Sequence, residues 1–304
     1  MDHAARAAPP RGGGTMTDQR TERRGASAAR DAVLVDPIDL AGLTAGDEPP
    51  VVLDVRWSLG RDDGHEQYLA GHLPGAVYVD LDTELAAMPS PAEGRHPLPA
   101  VADLEVAARR WGVREDRAVV VYDDAGATSA ARAWWLLRWA GLTDVRLLDG
   151  GLAAWTAAGL PVEAGPVTAE AGDVVLTTGG MPTVSADEAA AWQGTLLDAR
   201  ALPRYLGEVE PVDPRAGHIP GAVSAPTAGN LGPDGTFLPD DALRERFRGL
   251  GVEPGAPVAV YCGSGVTAAH EVAALASVGV PAALYPGSWS QWSNDPARPV
   301  ATGR

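Results

Sequence analysis

A single cysteine, Cys262, is the residue of this sequence best placed for nucleophilic chemistry. It follows the apolar run VAVY (258–261) and precedes a short polar loop, after which a helical pattern begins. The loop consists of Gly263, Ser264, Gly265, Val266 and Thr267, and the last of these is predicted to cap the helix. Two glycines allow a tight turn with inward-pointing N–H groups, and such donors at a helix N-terminus stabilise a thiolate. A lone cysteine is more commonly a small buried apolar residue, but this loop predicts an activated one.

The sequence contains two copies of one series of segments. The pairs, in chain order, are VVLDVRW (51–57) with TLLDARA (195–201), GHLPGAV (71–77) with GHIPGAV (217–223), HPLP (96–99) with TFLP (236–239), VVVYDD (119–124) with VAVYCG (258–263), and LLDGGLAAW (147–155) with LYPGSWSQW (284–292). Five matches in the same order, at a nearly constant separation, indicate a tandem duplication of one domain.

The duplication and the local composition predict four regions. Residues 1–31 are rich in Arg, Ala and Gly and are predicted to be a disordered tail, in which Met16 is an alternative start. Residues 32–160 and 183–300 are predicted to be the two domains, and the Gly-, Pro- and Thr-rich residues 161–182 their linker. Short apolar runs alternate with helical patterns, which predicts α/β domains with a mostly parallel sheet flanked by helices.

The two copies differ at the position of the cysteine. Asp123 stands in the first copy where Cys262 stands in the second. Because ligands bind at the carboxyl ends of strands in such sheets, both residues are predicted to lie at a binding edge. Only the second copy carries a nucleophile, so the first is predicted to be non-catalytic and to frame the cleft.

Composition limits the classes of function. The net charge of −16 argues against a nucleic-acid partner or an anionic membrane surface. The chain has no Lys, so all 24 basic residues are Arg, which suits small carboxylate-like or sulfonate-like anions. One Cys excludes zinc–cysteine clusters, and the six His show no metal-binding spacing, so no metal or cofactor is predicted. Without an apolar run of membrane-spanning length or a signal peptide, a cytoplasmic location is predicted.

These motifs together resemble those of the tandem-domain rhodanese family of sulfurtransferases, over roughly residues 32–300. The resemblance implies two doubly wound rhodanese-like domains with the active cysteine in the second. It also implies ping-pong chemistry, in which the Cys262 thiolate takes a sulfur from a small anionic donor and becomes a persulfide. A thiol, cyanide or a small thioredoxin-like protein then removes that sulfur. The duplication makes a monomer self-sufficient, with its cleft between the two halves.

The loop sequence CGSGVT (262–267) resembles the 3-mercaptopyruvate sulfurtransferase branch of this family. Members that prefer thiosulfate typically carry basic residues after the cysteine, whereas Gly263 and Ser264 are neutral. The resemblance implies that Ser264 relays a proton, supported by a His and an upstream Asp. The matching residues are His72 in the first GH motif and Asp63, with Asp62 as the alternative.

The same resemblance implies an arginine clamp for the donor carboxylate. Arg204 matches the family's carboxylate-binding arginine. The second arginine of the branch falls at Pro211 here, and Arg215 is the nearest candidate to replace it. This departure leaves thiosulfate open as the main donor.

The residues around Cys262 also bear on two other classes of function, a cysteine phosphatase and a non-enzymatic module. A cysteine phosphatase requires an arginine at the sixth position after the nucleophile, and this chain has Ala268 there. A non-enzymatic redox-sensing or binding module stays open, because rhodanese-like domains serve in both ways. The intact loop around Cys262 favours the enzyme.

Overall fold

The computed structural model describes residues 28–304. Most of the predicted tail, with Met16, therefore lies outside the described residues. The boundary at residue 31 is wrong, however, because residues 28–31 are helical. Arg30 joins this turn to both halves of the chain, through ion pairs with Asp149 of the first half, at 2.9 Å, and Asp240 of the second half, at 3.2 Å.

The first half forms one parallel sheet flanked by helices. Its strands are β1 (Leu34–Val35), β2 (Val51–Asp54), β3 (Val77–Tyr78), β4 (Val119–Tyr122) and β5 (Val145–Leu148). Its helices are α1 (Pro37–Thr44), α2 (Gly64–Ala70), α3 (Leu81–Glu84), α4 (Val101–Arg110), α5 (Ala130–Trp139) and α6 (Gly151–Ala157). The strand order is β1-β5-β4-β2-β3, and every pairing is parallel.

The second half repeats this arrangement. Its strands are β6 (Thr195–Asp198), β7 (Val223–Ser224), β8 (Val258–Tyr261) and β9 (Ala283–Leu284). Its helices are α7 (Ala186–Ala190), α8 (Leu202–Leu206), α9 (Asp240–Gly249), α10 (Thr267–Ser277) and α11 (Ser288–Asn294), with a 3-10 helix at Thr227–Asn230. The order is β7-β6-β8-β9, and one parallel bridge from Thr183 to Leu284 takes the place of β1.

The central strands explain why the sheets are parallel and covered on both faces. All four residues of β4 (VVVY) and of β8 (VAVY) are buried. Apolar strands without alternation are typical of sheets with helices on both sides. The predicted α/β fold, with a mostly parallel sheet flanked by helices in each half, is therefore confirmed.

The two halves pack through α5 and α10, the helices that follow the central strands. Buried residues from both halves form one continuous apolar cluster. The predicted linker lies along the first half, where Val174 and Leu176 are buried. At the other end, Gly303 N–H donates to Leu206 O at 3.0 Å, so ordered contacts extend past the predicted boundary at residue 300. Among residues 28–304, no helix combines the length and apolar character that crossing a bilayer requires.

Candidate active site

Cys262 lies at the carboxyl end of β8 and is only 1% exposed. Its backbone is fixed by the start of α11. Cys262 N–H donates to Ser288 Oγ at 3.2 Å, and Trp289 N–H donates to Cys262 O at 3.0 Å. The Gly265 N–H reaches the Cys262 sulfur at 3.2 Å. Cys262 is therefore held in one orientation, with a backbone donor directed at Sγ.

The loop after Cys262 turns as predicted at Gly265. Gly265 has a φ of +79°, and a Cβ there would lie 2.6 Å from Pro286 O, so only glycine fits without strain. Val266 directly precedes α10, and no side chain caps that helix. Thr267 is the first residue of α10, so its predicted role as a helix cap is wrong.

Ser264 is part of a chain of polar side chains that crosses between the two halves. Its Oγ lies 2.7 Å from His96 Nδ1, and His96 Nε2 lies 3.1 Å from Asp82 Oδ1. Trp57 Nε1 donates to the same carboxylate, at 3.0 Å from Oδ1 and 3.1 Å from Oδ2. This Asp82–His96–Ser264 arrangement is called the relay below. It has the form in which a carboxylate orients a histidine that exchanges a proton with a hydroxyl.

The electrostatic environment keeps His96 neutral. Burial, followed by the charge of Arg132, lowers the pKa of His96 to about 4, although Asp82 acts in the opposite direction. An ionised carboxylate can only accept hydrogen bonds, so His96 donates to Asp82 through Nε2. The other ring nitrogen, Nδ1, is then free to accept the Ser264 hydroxyl proton. The relay is therefore prepared to remove a proton from Ser264 and return it.

His72, predicted to support Ser264, has a different environment, so that prediction is wrong. Its Nδ1 lies 2.9 Å from Tyr68 O, its Nε2 lies 3.3 Å from Glu163 Oε1, and its ring stacks on Tyr68 at 4.1 Å. His218 does the same in the second half, with Nδ1 at 2.8 Å from Tyr205 O and a stack at 3.8 Å. Both histidines stabilise the same turn of the duplicated fold.

Asp63, predicted as the carboxylate of the relay, is also in the wrong place. It precedes α2 and accepts hydrogen bonds from Arg61 and, at 2.9 Å, from Gln67. The hydrogen bond from Arg61 is the main reason that the pKa of Asp63 falls to about 2. Asp62, the alternative, is exposed beside it. The carboxylate that reaches the relay is Asp82.

Two arginines, one from each half, converge on the first residue of the loop. A Cβ on Gly263 would lie 2.9 Å from Arg95 Nη2 and 3.3 Å from Arg204 Nη1. Asp213 accepts from both, through Oδ1 from Arg95 Nη1 and through Oδ2 from Arg204 Nη2 at 3.1 Å. Glu210 accepts from Arg204 Nη2 at 2.6 Å. The carboxylates hold one side of each guanidinium, and the other side faces the loop.

Arg215 does not replace the missing second arginine. Its guanidinium donates to the backbone carbonyls of Ser293 at 2.8 Å, Arg298 at 2.9 Å and Trp292 at 2.9 Å. It therefore holds the C-terminal segment. The structure instead brings Arg95 from the first half beside Arg204.

A family model described as "Rhodanese-like domain" matches residues 38–158 and 185–295. The chain belongs to the rhodanese family. The two matched regions agree with the two copies of the repeat and with the two sheets.

Curated relatives and a solved structure agree over most of the chain. A Mycobacterium tuberculosis protein with the provisional name thiosulfate sulfurtransferase SseB is 50% identical over 280 residues, which cover 90% of this chain and 99% of that protein. A Pseudomonas aeruginosa protein, provisionally named 3-mercaptopyruvate sulfurtransferase, is 49% identical over 83% of this chain and 92% of its own length. The crystal structure of SseA from Escherichia coli, a 3-mercaptopyruvate sulfotransferase, is similar with a TM-score of 0.75. It is 36% identical, and the match covers 84% of this chain and 98% of that chain. This rhodanese is therefore a sulfurtransferase.

The first rhodanese domain shows what the loop of this fold binds. The Asp123 carboxylate accepts from the N–H groups of Ala125, Ala127, Ser129 and Ala130 at 2.8–2.9 Å. The Ser129 hydroxyl adds a further bond at 3.0 Å. The loop is thus a cradle for an anion, and in this domain it is filled by the chain's own carboxylate.

Sequence reasoning missed His96, Asp82 and Arg95. The signal that could have found His96 lies in the repeat itself. His96 begins HPLP, and the matching TFLP of the second copy begins with Thr236. An unmatched histidine is a better candidate for chemistry than the duplicated pair His72 and His218. Asp82 and Arg95 lie in non-repeated sequence, and no pattern distinguished them.

Proposed function

We propose that the chain transfers sulfur from 3-mercaptopyruvate, through a persulfide on Cys262, to a thiol, cyanide or a small thioredoxin-like protein. The observation that carries this proposal is the relay that ends on Ser264, two residues after the nucleophile. Thiosulfate releases sulfite without any proton transfer, whereas 3-mercaptopyruvate cannot release pyruvate without one. A relay beside the nucleophile therefore favours the second donor.

The reaction balances with the relay as a proton shuttle. The Cys262 thiolate forms an S–S bond to the donor sulfur, and the C–S bond of the donor breaks. The electron pair of that bond goes to carbon, which gives the pyruvate enolate. The proton of the donor thiol passes through Ser264 to His96 and returns to the enolate carbon. The products are pyruvate and the Cys262 persulfide anion, and His96 ends neutral, as it began.

A carboxylate clamp formed by Arg95 and Arg204 would hold the donor. Arg95 Nη2 and Arg204 Nη1 are the guanidinium nitrogens next to Gly263. The side-chain atom Arg95 Nε is buried without a hydrogen-bond partner among the described residues. Two forks that face one small space suit a carboxylate and the adjacent carbonyl.

The persulfide would lie in the loop cradle. Ser264 and Val266 hold the positions that Ala125 and Ala127 hold in the first domain. There the equivalent N–H groups bind the Asp123 carboxylate. By this comparison, the same donors would stabilise the negative charge on the outer sulfur.

Thiosulfate is the second candidate donor. The relative at 50% identity carries a thiosulfate sulfurtransferase name, and two arginines beside the loop can neutralise a dianion. Steady-state assays with each donor, cyanide as acceptor and Cys262→Ser as the blank separate the two. A tenfold advantage in kcat/KM for 3-mercaptopyruvate, about 1.4 kcal/mol, would support the relay. A thiosulfate advantage would assign the arginines to the dianion, and no turnover above the blank would favour a redox-sensing or binding module.

A further inference from the structure

One fully buried arginine approaches the loop of Cys262 without an ion-pair partner among residues 28–304. Arg132 lies in α5 of the first domain and is 0% exposed. Its Nη1 donates across the domain boundary to Gly265 O at 3.3 Å. On its own side, Arg132 donates to the carbonyl of Leu85, at 3.1 and 3.2 Å, and to those of His96 at 3.0 Å and Pro97 at 3.2 Å.

The acceptors that the structure gives Arg132 are all backbone carbonyls. Within residues 28–304, no carboxylate forms an ion pair with Arg132. Burying a charge without a counter-charge is strongly unfavourable, and carbonyl dipoles compensate only part of that penalty. The group of this site that can become an anion is the sulfur of Cys262, and Gly265 connects it to Arg132. Arg132 donates to the Gly265 carbonyl, and the Gly265 N–H donates to Cys262 Sγ.

The first domain provides an internal comparison. Arg132 lies nine residues after Asp123, and Glu271 lies nine residues after Cys262, so the two occupy equivalent positions of α5 and α10. Both are fully buried, with opposite charge types. Within residues 28–304, no guanidinium of the second domain forms a hydrogen bond to the loop that contains Asp123. That loop faces the ring of His270, whose pKa burial lowers to about 4, so that ring is neutral. Among the described residues, a buried guanidinium thus approaches the loop of Cys262, whereas the Asp123 carboxylate is held by backbone N–H groups and the Ser129 hydroxyl.

We propose that Arg132 is a positioning residue that stabilises the anionic sulfur of Cys262, first as the thiolate and then as the persulfide, by a fixed charge behind the loop. A trans peptide directs its C=O and N–H in opposite directions, so the bond from Arg132 to Gly265 O turns the Val266 N–H away from Arg132. The guanidinium therefore also orients a donor of the cradle. Burial lowers the pKa of Arg132 to about 10, and the charge of Cys262 acts in the opposite direction, so Arg132 stays charged at neutral pH. This inference deepens the proposed persulfide chemistry and rests on it.

The test compares Arg132→Met, which removes the charge, with Arg132→Lys, which keeps it but loses the planar fork. Arg138→Met is the matched control, because Arg138 lies on the same helix and binds the carbonyls of Ala32 and Thr143. The readout is the rate of Cys262 alkylation by iodoacetamide from pH 5 to 9. The other titratable or charged groups at the loop are His96 at Ser264 and Arg95 and Arg204 at Gly263. All three side chains are kept in the variants, but the Arg132 charge also lowers the pKa of His96, so Arg132→Met moves that pKa upward as well.

We expect Arg132→Met to move the midpoint of the alkylation profile upward by at least one pH unit, which slows alkylation about tenfold near neutral pH. Arg132→Lys should recover at least half of that shift, although it loses hydrogen bonds. An Arg132→Met protein that folds, by circular dichroism, and keeps the wild-type midpoint would overturn the inference. If Arg132→Met does not fold, the test uses Arg132→Lys alone. An upward shift of its alkylation midpoint by one pH unit or more would overturn the inference, because the charge is kept and only the hydrogen bonds are lost. Alkylation needs no donor, so a wild-type protein that alkylates normally and turns over neither donor would refute the function and not this inference.

Discussion

Replacing His96 with Asn should strongly slow the turnover of 3-mercaptopyruvate and spare that of thiosulfate. The reason is that only the first donor has a proton to move between its thiol and the departing carbon. An asparagine would keep a polar side chain of similar size beside Ser264 but could not accept and return a proton. The predicted effect is therefore a change in the ratio of the two activities.

The structure sets the size of this change. A positioned general acid–base group contributes typically about 10²–10⁴-fold. His96 Nδ1 lies 2.7 Å from Ser264 Oγ, and the two residues are 7% and 6% exposed, so water is a poor replacement. We expect kcat/KM for 3-mercaptopyruvate to fall about 10²–10³-fold, or about 3–4 kcal/mol. Asp82, whose side chain is 60% exposed, is more easily replaced by solvent. Asp82→Asn should therefore cost only about tenfold, less than the loss of the acid–base group itself.

The assay measures kcat/KM for both donors with cyanide as acceptor, and alkylation of Cys262 shows that the nucleophile is intact. His65→Asn is the neutral control, because His65 is exposed on α2. His72→Asn should lower the thermal midpoint without changing the ratio of the donors. Equal losses for both donors in His96→Asn would mean that His96 only shapes the loop. A selective loss in His72→Asn would refute the relay and favour the residue predicted from the sequence.

Three further predictions use other parts of the site. Arg204→Met and Arg95→Met should each raise KM for 3-mercaptopyruvate about tenfold or more with a smaller effect on kcat, as expected for loss of a charged hydrogen bond to the bound donor; a fall in kcat alone would contradict the clamp. Gly263→Ala should raise KM similarly, because its Cβ would lie 2.9 Å from Arg95 Nη2. An unchanged KM would show that the two arginines do not contact the bound donor. Burial raises the pKa of Glu271 to about 7 from 4.5. The contribution of Glu271 to stability is therefore complete below about pH 4.5 and is lost as the pH rises through 7. In urea unfolding, the free energy of unfolding of Glu271→Gln should rise relative to that of the wild type by up to about 3 kcal/mol between pH 4.5 and 8. A difference that does not change with pH would show that Glu271 does not ionise in this range.

The fold could be predicted because its signals are local and repeated. Buried parallel strands appear as short apolar runs, and each occurs twice, so VVVY and VAVY support the same assignment. The loop after Cys262 was predictable for the same reason, since Gly265 must adopt a positive φ within a few residues of the nucleophile. The tail boundary was wrong because the contacts of Arg30 with Asp149 and Asp240 join distant parts of the chain.

The relay could not be predicted from local pattern. His96 and Ser264 are separated by 168 residues and meet only when α5 and α10 bring the two domains together. His96 lies outside the helices and strands, and Asp82 lies in the four-residue helix α3, which is too short for a periodicity that would show which way a side chain points. His72 was chosen because it lies in a recognisable motif, yet that motif is recognisable because both copies need it to build a turn.

The two copies therefore differ where chemistry occurs and agree where the fold needs support. The turn histidines His72 and His218 have the same partners in both copies. The residues of the site differ between copies, as the pairs Cys262 and Asp123, His96 and Thr236, and Arg132 and Glu271 show. One active site per chain follows from this asymmetry. The loop of the first domain already holds its own Asp123 carboxylate. By our proposals, His96, Arg95 and Arg132 of that domain would instead act on the loop of Cys262.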